Sequence, residues 1–163
     1  MSTDPYIIRS PQSHAEWEVV KKLLLDYRAE FNNDSCFTSF DEELADIENL
    51  YSGKGYVKRI AVSNPGGEIV GCIASQEFAT NITEMKRLYV APGHRGRHLG
   101  RRLTETIIAL ATEMGYSRIY LDTMVEMKAA QQLYDQLGFR IRGAYDEQDL
   151  TRMICYEKFL KNG

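Results

Sequence analysis

The most constraining feature of the sequence is the run from Leu88 to Leu103, LYVAPGHRGRHLGRRL, where a strand pattern gives way to a helix pattern. The segment from Thr83 to Val90 alternates as a strand does, and Ala91-Pro92-Gly93 breaks it. A long amphipathic helix is predicted from near His98 to a stop at Gly115. A strand that enters a helix through a glycine-containing turn requires a fold that mixes both elements.

The turn inside this run is rich in positive charge and glycine. The first turn of a helix leaves backbone N–H groups unpaired, and the helix dipole adds partial positive charge there. Gly96 lets the backbone approach a bulky anion closely. Four guanidinium groups surround the turn, on Arg95, Arg97, Arg101 and Arg102. The combination predicts a seat for a pyrophosphate, with a solvated basic helix start as the alternative.

The remaining pattern predicts the order β-α-α-β-β-β-α-β-α-β-β. Tyr6 to Arg9 is a short strand, and the capping boxes Ser13/Glu16 and Ser39/Glu42 open two helices. Five further strands and one further helix follow the same reasoning. The strands are Tyr56 to Ser63, Glu68 to Phe78, Ser117 to Thr123, Phe139 to Tyr145 and Arg152 to Phe159, and the helix runs from Met127 to Leu137. A meander that feeds a strand–helix–strand crossover predicts an α/β (α+β) fold, a mixed sheet with helices on both faces.

Bulk properties narrow the class of protein. The 163 residues fit one domain, 1–163, and the net charge of −3 disfavours nucleic acid or an anionic membrane surface as partner. No apolar run approaches the ~20 residues that span a bilayer, and no signal peptide is visible. Cys36, Cys72 and Cys155 lack metal-ligand spacing and are expected to be free thiols. The expectation is a cytoplasmic protein without a metal.

Two motifs resemble those of a known family. Arg95 to Gly100 is similar to the pyrophosphate-binding motif [QR]-x-x-G-x-[GA] of the GNAT superfamily of acetyl-CoA-dependent N-acetyltransferases, with His98 in place of the middle glycine. Ala130 to Phe139, AQQLYDQLGF, resembles the superfamily signature A-x-x-L-Y-x-x-x-G-F. Met127 stands where the superfamily often has asparagine. The resemblance covers roughly Tyr56 to Phe159 and implies a mostly antiparallel sheet of about seven strands.

The resemblance also implies how acetyl-CoA, as co-substrate, would be held. The backbone of Leu88, Tyr89 and Val90 would bind the pantetheine arm as an added strand would, and one strand N–H would face the acetyl carbonyl. The residues implied for cofactor binding are Leu88, Tyr89, Val90, Arg95, Gly96, Arg97, His98, Leu99, Gly100, Arg101, Met127 and Tyr134. Tyr134 is the candidate general acid, because a phenol can protonate a departing thiolate.

An alkyl amine acceptor must lose a proton before it attacks. Glu84 and Asp122 are the first candidates for the base, since both are predicted near the ends of neighbouring strands. Glu126, Glu77 and solvent remain alternatives. The acceptor pocket is expected to be lined by Tyr27, Phe31, Phe37 and Tyr145.

The function expected is N-acetylation of a primary amine on a small molecule or peptide by direct attack in a ternary complex. A non-catalytic acyl-CoA-binding sensor is the alternative, and a homodimer is compatible with either. A serine hydrolase or metalloprotease is unsupported, because G-x-S-x-G and H-E-x-x-H are absent.

Overall fold

A computed structural model describes residues 4–31, 37 and 39–161. The strands are β1 Tyr6–Arg9, β2 Tyr56–Ser63, β3 Ile69–Ala79, β4 Ile82–Val90, β5 Arg118–Met124, β6 Arg140–Arg142 and β7 Met153–Phe159. The helices are α1 His14–Glu30, α2 Phe40–Ala45, α3 Ile47–Leu50, α4 Leu99–Glu113 and α5 Lys128–Gln136, and a 3₁₀ turn spans Pro92–His94. Across these ranges, no helix is long and apolar enough to cross a membrane.

The seven strands found in the described residues form one sheet, in the order β1-β2-β3-β4-β5-β7-β6. Consecutive strands β2, β3 and β4 are joined by tight turns and pair antiparallel. The connection from β4 to β5 runs through α4, so these two strands pair parallel, as a helical crossover requires. Every other pair is antiparallel, and the predicted fold class is confirmed.

The two faces of the sheet are covered by different helices. One core contains Leu103 and Ile107 of α4, Tyr134 of α5 and sheet residues such as Met85. The other contains residues of α1, α2 and α3, among them Phe40. Strand side chains alternate between faces, so Glu84 and Lys86 of β4 lie on the opposite face from Met85.

Of the predictions about helix caps and element boundaries, some are confirmed and others are wrong. Ser13 caps α1 as expected, since its Oγ accepts a hydrogen bond from the Glu16 N–H at 3.2 Å. The second capping box is wrong, because Ser39 has a φ of 58° and makes no side-chain cap, whereas a capping hydroxyl needs extended backbone. The predicted second helix is divided at Asp46. The strand expected to reach Tyr145 ends at Arg142, because the chain beyond it turns back over the sheet. Cys72 and Cys155 are free and buried, and Cys36 lies outside the described residues.

Strand β4 contains a β-bulge beside the parallel pair. Ala74 of β3 pairs with Lys86 and Cys72 with Tyr89, so two residues of β4, Arg87 and Leu88, stand opposite one residue of β3. Arg87 has a φ of 61°, a left-handed conformation that costs roughly 1–2 kcal/mol for a residue with a side chain.

A buried ion pair holds this strained residue. The Arg87 guanidinium donates to Glu43 of α2 from Nε at 3.2 Å and from Nη2 at 3.1 Å, and both side chains are 5% exposed. The Phe40 ring lies 4.8 Å from the guanidinium carbon. Helix α2 therefore holds the bulge of β4 in place through the ion pair between Glu43 and Arg87.

We expect Glu43→Leu to lower the free energy of unfolding by about 3–5 kcal/mol, because it removes the carboxylate that the buried Arg87 guanidinium binds. The double variant Glu43→Leu/Arg87→Met should recover a large part of that loss, since it removes both charges of the Arg87–Glu43 pair. Urea unfolding followed by circular dichroism measures both. Asp41→Ala is the control: Asp41 lies on α2, as Glu43 does, and the variant breaks only its exposed ion pair with Arg28 of α1, so stability should change little. A Glu43→Leu protein as stable as the control would contradict the assignment.

Candidate functional site

The parallel strands β4 and β5 separate soon after they meet. They pair only between Ile82–Glu84 and Arg118–Tyr120, and the bulge follows on β4. Beyond these residues a slot of about 50 Å³ opens between the two strands. It is lined by Tyr27, Met85, Lys86, Arg87, Leu88, Leu121, Asp122, Thr123, Met127, Ala130 and Tyr134. The lining includes residues from both faces, so the slot passes through the sheet.

A groove of about 1030 Å³ continues from the slot across the beginnings of α4 and α5. Its lining comprises Glu30, Phe31, Leu88, Tyr89, Val90, His94, Arg95, Gly96, His98, Leu99, Gly100, Arg101, Glu126, Met127, Lys128, Ala129, Ala130, Leu133 and Gln136. The groove combines apolar walls with a cationic turn at one end. Such a surface suits an extended ligand that has an apolar arm and an anionic group.

The cationic end is built by the turn before α4. Gly96 and His98 both have positive φ, at 78° and 62°. The backbone N–H of Arg102 is the first to bond back along the helix, to the His98 carbonyl at 3.0 Å. The N–H groups of the preceding helical residues are therefore free of helical partners. A Cβ added at Gly100 would lie 3.7 Å from Leu133 and would meet no other described residue outside its own stretch of helix, so the turn is open in front of the helix.

The arginines of the turn divide into two pairs. Arg95 and Arg101 line the groove, and Arg95 donates to the Val90 carbonyl at 2.9 Å and to Glu30 at 2.8 Å. Arg97 instead donates to the Tyr6 hydroxyl at 3.1 Å, and Arg102 pairs with Asp4 at 2.9 Å. The expected cluster of four guanidinium groups is thus reduced to two side chains. Arg97 is not among the residues that line the groove.

Tyr134 and Asp122 reach the slot from opposite faces. Tyr134 is 4% exposed and packs in the α4-side core, with its ring 5.7 Å from those of Phe139 and Tyr156. Asp122 follows Leu121, which belongs to that same core, and so projects to the other face. Met127 lines both the slot and the groove, and its sulfur accepts from the Thr123 hydroxyl at 3.6 Å.

The two leading base candidates have different partners. The Glu84 carboxylate accepts a hydrogen bond from the Tyr145 hydroxyl at 2.6 Å, and Asp122 accepts one from the Gln148 amide at 3.2 Å. Burial raises the pKa of both carboxyl groups. Only Asp122 lines the slot. Asp122 therefore lines the slot, and the hydrogen bond that it accepts is longer than the one to Glu84, so it competes less with an incoming amine.

The alternative carboxylates lie elsewhere. Glu77 accepts from the Tyr116 hydroxyl at 3.0 Å near the end of α4, and Glu126 lines the groove rather than the slot. Gln148 had no sequence signal, because a single glutamine in a loop forms no pattern. Its side-chain oxygen accepts the N–H groups of Tyr145 and Asp146, at 3.1 and 2.9 Å, so it also shapes the loop that covers Asp122.

The predicted acceptor residues do not share one pocket. Tyr27 lines the slot and stacks on Tyr89 at 4.9 Å. Phe31 lines the groove instead, and Phe37 is 8% exposed because it packs on Tyr27 at 5.1 Å in the core. Tyr145 lies on the far face, against Glu84. Of the four residues, Tyr27 lines the slot and Tyr145 contacts Glu84, whereas Phe31 and Phe37 pack against Tyr27, at 5.5 and 5.1 Å, without lining the slot.

Comparisons with known proteins agree with this geometry. Residues 17–139 match the family described as the Acetyltransferase (GNAT) family. An uncharacterized N-acetyltransferase of Schizosaccharomyces pombe is 33% identical over 135 residues, which cover 82% of each chain. An uncharacterized N-acetyltransferase of Escherichia coli is 32% identical over 124 residues, covering 74% of this chain and 72% of that one.

Solved structures share the fold. A GNAT-family acetyltransferase from Staphylococcus aureus has a TM-score of 0.79 at 23% identity, over 96% of this chain and 99% of that chain. A phosphinothricin acetyltransferase from Sinorhizobium meliloti, solved with acetyl-CoA, has a TM-score of 0.77 at 17% identity, over 98% and 91%. The chain belongs to the GNAT family and is an acetyl-CoA-dependent N-acetyltransferase.

Proposed function

We propose that this protein transfers the acetyl group of acetyl-CoA to a primary amine of a small molecule or peptide by direct attack in a ternary complex. The observation that carries the proposal is the slot through the sheet. Tyr134 lines the slot from one face and Asp122 from the other, and the slot shares Leu88, Met127 and Ala130 with the groove. Two substrates could therefore approach the same point from opposite sides.

The groove fits acetyl-CoA by the chemistry of its lining. The turn from Gly96 to Arg101, with the free N–H groups of α4, would bind the pyrophosphate. The backbone of Leu88 to Val90 lies along the wall where β4 has left β5, and it would bond the pantetheine arm as a strand would. His98 retains its N–H, and its imidazole can also donate to phosphate. Acetyl-CoA supplies an activated acetyl group.

Asp122 would take a proton from the acceptor amine, directly or through water. The nitrogen then forms a bond to the acetyl carbon, and the bond from that carbon to sulfur breaks. Tyr134 would give its proton to the departing thiolate on the opposite face. A β4 N–H released by the bulge would stabilise the charge that develops on the carbonyl oxygen.

The acceptor would enter from the face of Asp122, Glu84 and Tyr145. The loop at Asp146, Glu147 and Asp149 adds negative charge near this entrance, which would favour a cationic amine. A single domain over 1–163, a cytoplasmic location and a homodimer stay predictions.

We expect wild-type protein to bind acetyl-CoA in calorimetric titration, more weakly at high salt because binding depends on cations in the turn. Gly100→Glu should abolish this binding, since it places bulk and negative charge in the open front of the turn. Gly93 lies nearby but does not line the groove, and a Cβ added there would meet no described atom within 4 Å. Gly93→Glu therefore adds the same charge outside the groove and should bind acetyl-CoA nearly as wild type does. A folded Gly100→Glu protein with normal affinity would show that the phosphate seat lies elsewhere.

Tyr134→Phe should lower kcat by about 10²-fold or more, because the thiolate loses its proton donor, while the Kd for acetyl-CoA stays near the wild-type value. Thiol release with an accepted amine measures kcat. Tyr156→Phe, which alters a neighbouring ring 5.7 Å away, is the matched control and should retain activity. Equal kcat values for the two variants would remove Tyr134 from the acid role.

Asp122→Asn should lower kcat/KM by about 10²–10⁴-fold and flatten the acid limb of its pH profile, because the titrating base is gone. Burial raises the pKa of Asp122, so wild-type activity should rise with pH through a range above that of an ordinary aspartate. Glu84→Gln can keep the contact with Tyr145 and should preserve the acid limb. An acid limb lost in Glu84→Gln and kept in Asp122→Asn would reverse the assignment.

A further inference from the structure

The start of the chain reaches the turn that the proposed function assigns to pyrophosphate. Asp4 and Tyr6, at the beginning of β1, contact three residues that are 88 to 98 positions further along the sequence. We call these five residues, Asp4, Tyr6, His94, Arg97 and Arg102, the N-terminal clamp. Strand β1 is itself an edge strand, held by antiparallel pairing to β2.

Tyr6 is the central member of the clamp. Its side chain is 3% exposed and belongs to the same core cluster as Leu99 and Leu103 of α4. Its hydroxyl lies 2.8 Å from Nδ1 of His94 and 3.1 Å from Nη1 of Arg97. The ring therefore anchors the hydroxyl in the core, and the hydroxyl in turn anchors residues on both sides of Gly96.

The hydrogen-bond directions follow from the chemistry of the three groups. A guanidinium can only donate, so the Tyr6 oxygen accepts from Arg97. In the tautomer whose Nδ1 carries no proton, His94 accepts a hydrogen bond from the Tyr6 hydroxyl. A neutral His94 then carries its own proton on Nε2. Because His94 lines the groove, the ring in this tautomer presents its Nε2–H as a donor to a ligand in the groove.

Asp4 supplies a second tie to the same region. Its carboxylate accepts from the Tyr6 N–H at 3.0 Å and is bound by both terminal nitrogens of Arg102, at 3.0 and 2.9 Å. Arg102 lies in the first turn of α4. The clamp thus holds the segment before the phosphate turn through His94 and the segment after it through Arg102.

We propose that Tyr6 is a positioning residue for the pyrophosphate seat, acting through His94 and Arg97 without touching the cofactor. The inference rests on the proposed function. Two residues of the turn, Gly96 and His98, hold positive φ, and strained backbone persists only where its surroundings determine it. Hydrogen bonds from β1 supply such a constraint, and they select the geometry in which the N–H groups of the turn converge on one anion.

Tyr6→Phe removes the hydroxyl and keeps the ring in the core. We expect the Kd for acetyl-CoA to rise by about tenfold, because small misplacements of binding groups are costly, while kcat at saturating acetyl-CoA stays within about twofold. Acetyl-pantetheine lacks the pyrophosphate, so its kcat/KM should be the same in Tyr6→Phe and wild type. This comparison separates the phosphate seat from the remainder of the groove.

Tyr116→Phe is the matched control. Tyr116 is buried in the same core cluster, and its hydroxyl donates to Glu77 at 3.0 Å beyond the other end of α4. It loses an equivalent hydroxyl, so its thermal stability should fall to a similar extent, with the Kd for acetyl-CoA unchanged.

The outcomes distinguish a failure of the proposed function from a failure of the positioning role of Tyr6. If wild-type protein binds no acetyl-CoA, the proposed function fails before the clamp is considered. If wild type binds and the two variants show the same Kd, the positioning role of Tyr6 is wrong and the proposed function stands. Equal losses with acetyl-CoA and acetyl-pantetheine would also overturn it, since they would indicate general loosening rather than a misplaced phosphate seat.

Discussion

The site depends on the loss of pairing between two parallel strands. Strands β4 and β5 share three residue pairs and then diverge, so a sheet that elsewhere separates its two faces acquires an opening. The bulge at Arg87 and Leu88 lies where this divergence begins, and a bulge bends its strand and disrupts the ladder. The left-handed backbone of Arg87 is sustained by Glu43 from α2. A short helix on one face thereby helps to set the geometry of a slot that continues to the other.

The fold was largely predictable because its signals are local. The alternating pattern of β2 to β4 and the helical pattern of α4 can each be recognised within a short stretch of sequence. Because a helix between two strands of one sheet makes them parallel, the order of these elements predicts a mixed sheet. Local signals failed where the tertiary structure determines the backbone. Ser39 has the sequence of a cap but a left-handed φ, and Tyr145 leaves the strand pattern to meet Glu84, a residue 61 positions earlier.

The site was predictable only where a motif spans contiguous residues. Every residue from Arg95 to Gly100 except Arg97 lines the groove, and Tyr134 lines the slot. Side-chain direction was not predictable, because it depends on partners distant in the sequence. Arg97 and Arg95 belong to the same motif, yet one turns to Tyr6 and the other to Glu30. Phe31 and Phe37 are six residues apart, and one enters the groove while the other enters the core.

The two faces of the slot differ in how exposed their charged groups are and in what that exposure does to them. On the groove side, cations and helix N–H groups remain accessible to an anion, as binding requires. On the other face, burial raises the pKa values of Glu84 and Asp122, which strengthens each carboxylate as a base. A carboxyl group with a raised pKa favours the folded state when protonated, so its contribution to stability is present below the unfolded pKa and lost as pH rises through the folded one. Ionised Asp122 is therefore maintained against a cost in stability, which the hydrogen bond from Gln148 partly offsets. The loop that carries Gln148 and Tyr145 therefore acts on the carboxylates in two ways, since it covers Asp122 and also donates the hydrogen bonds that Asp122 and Glu84 accept.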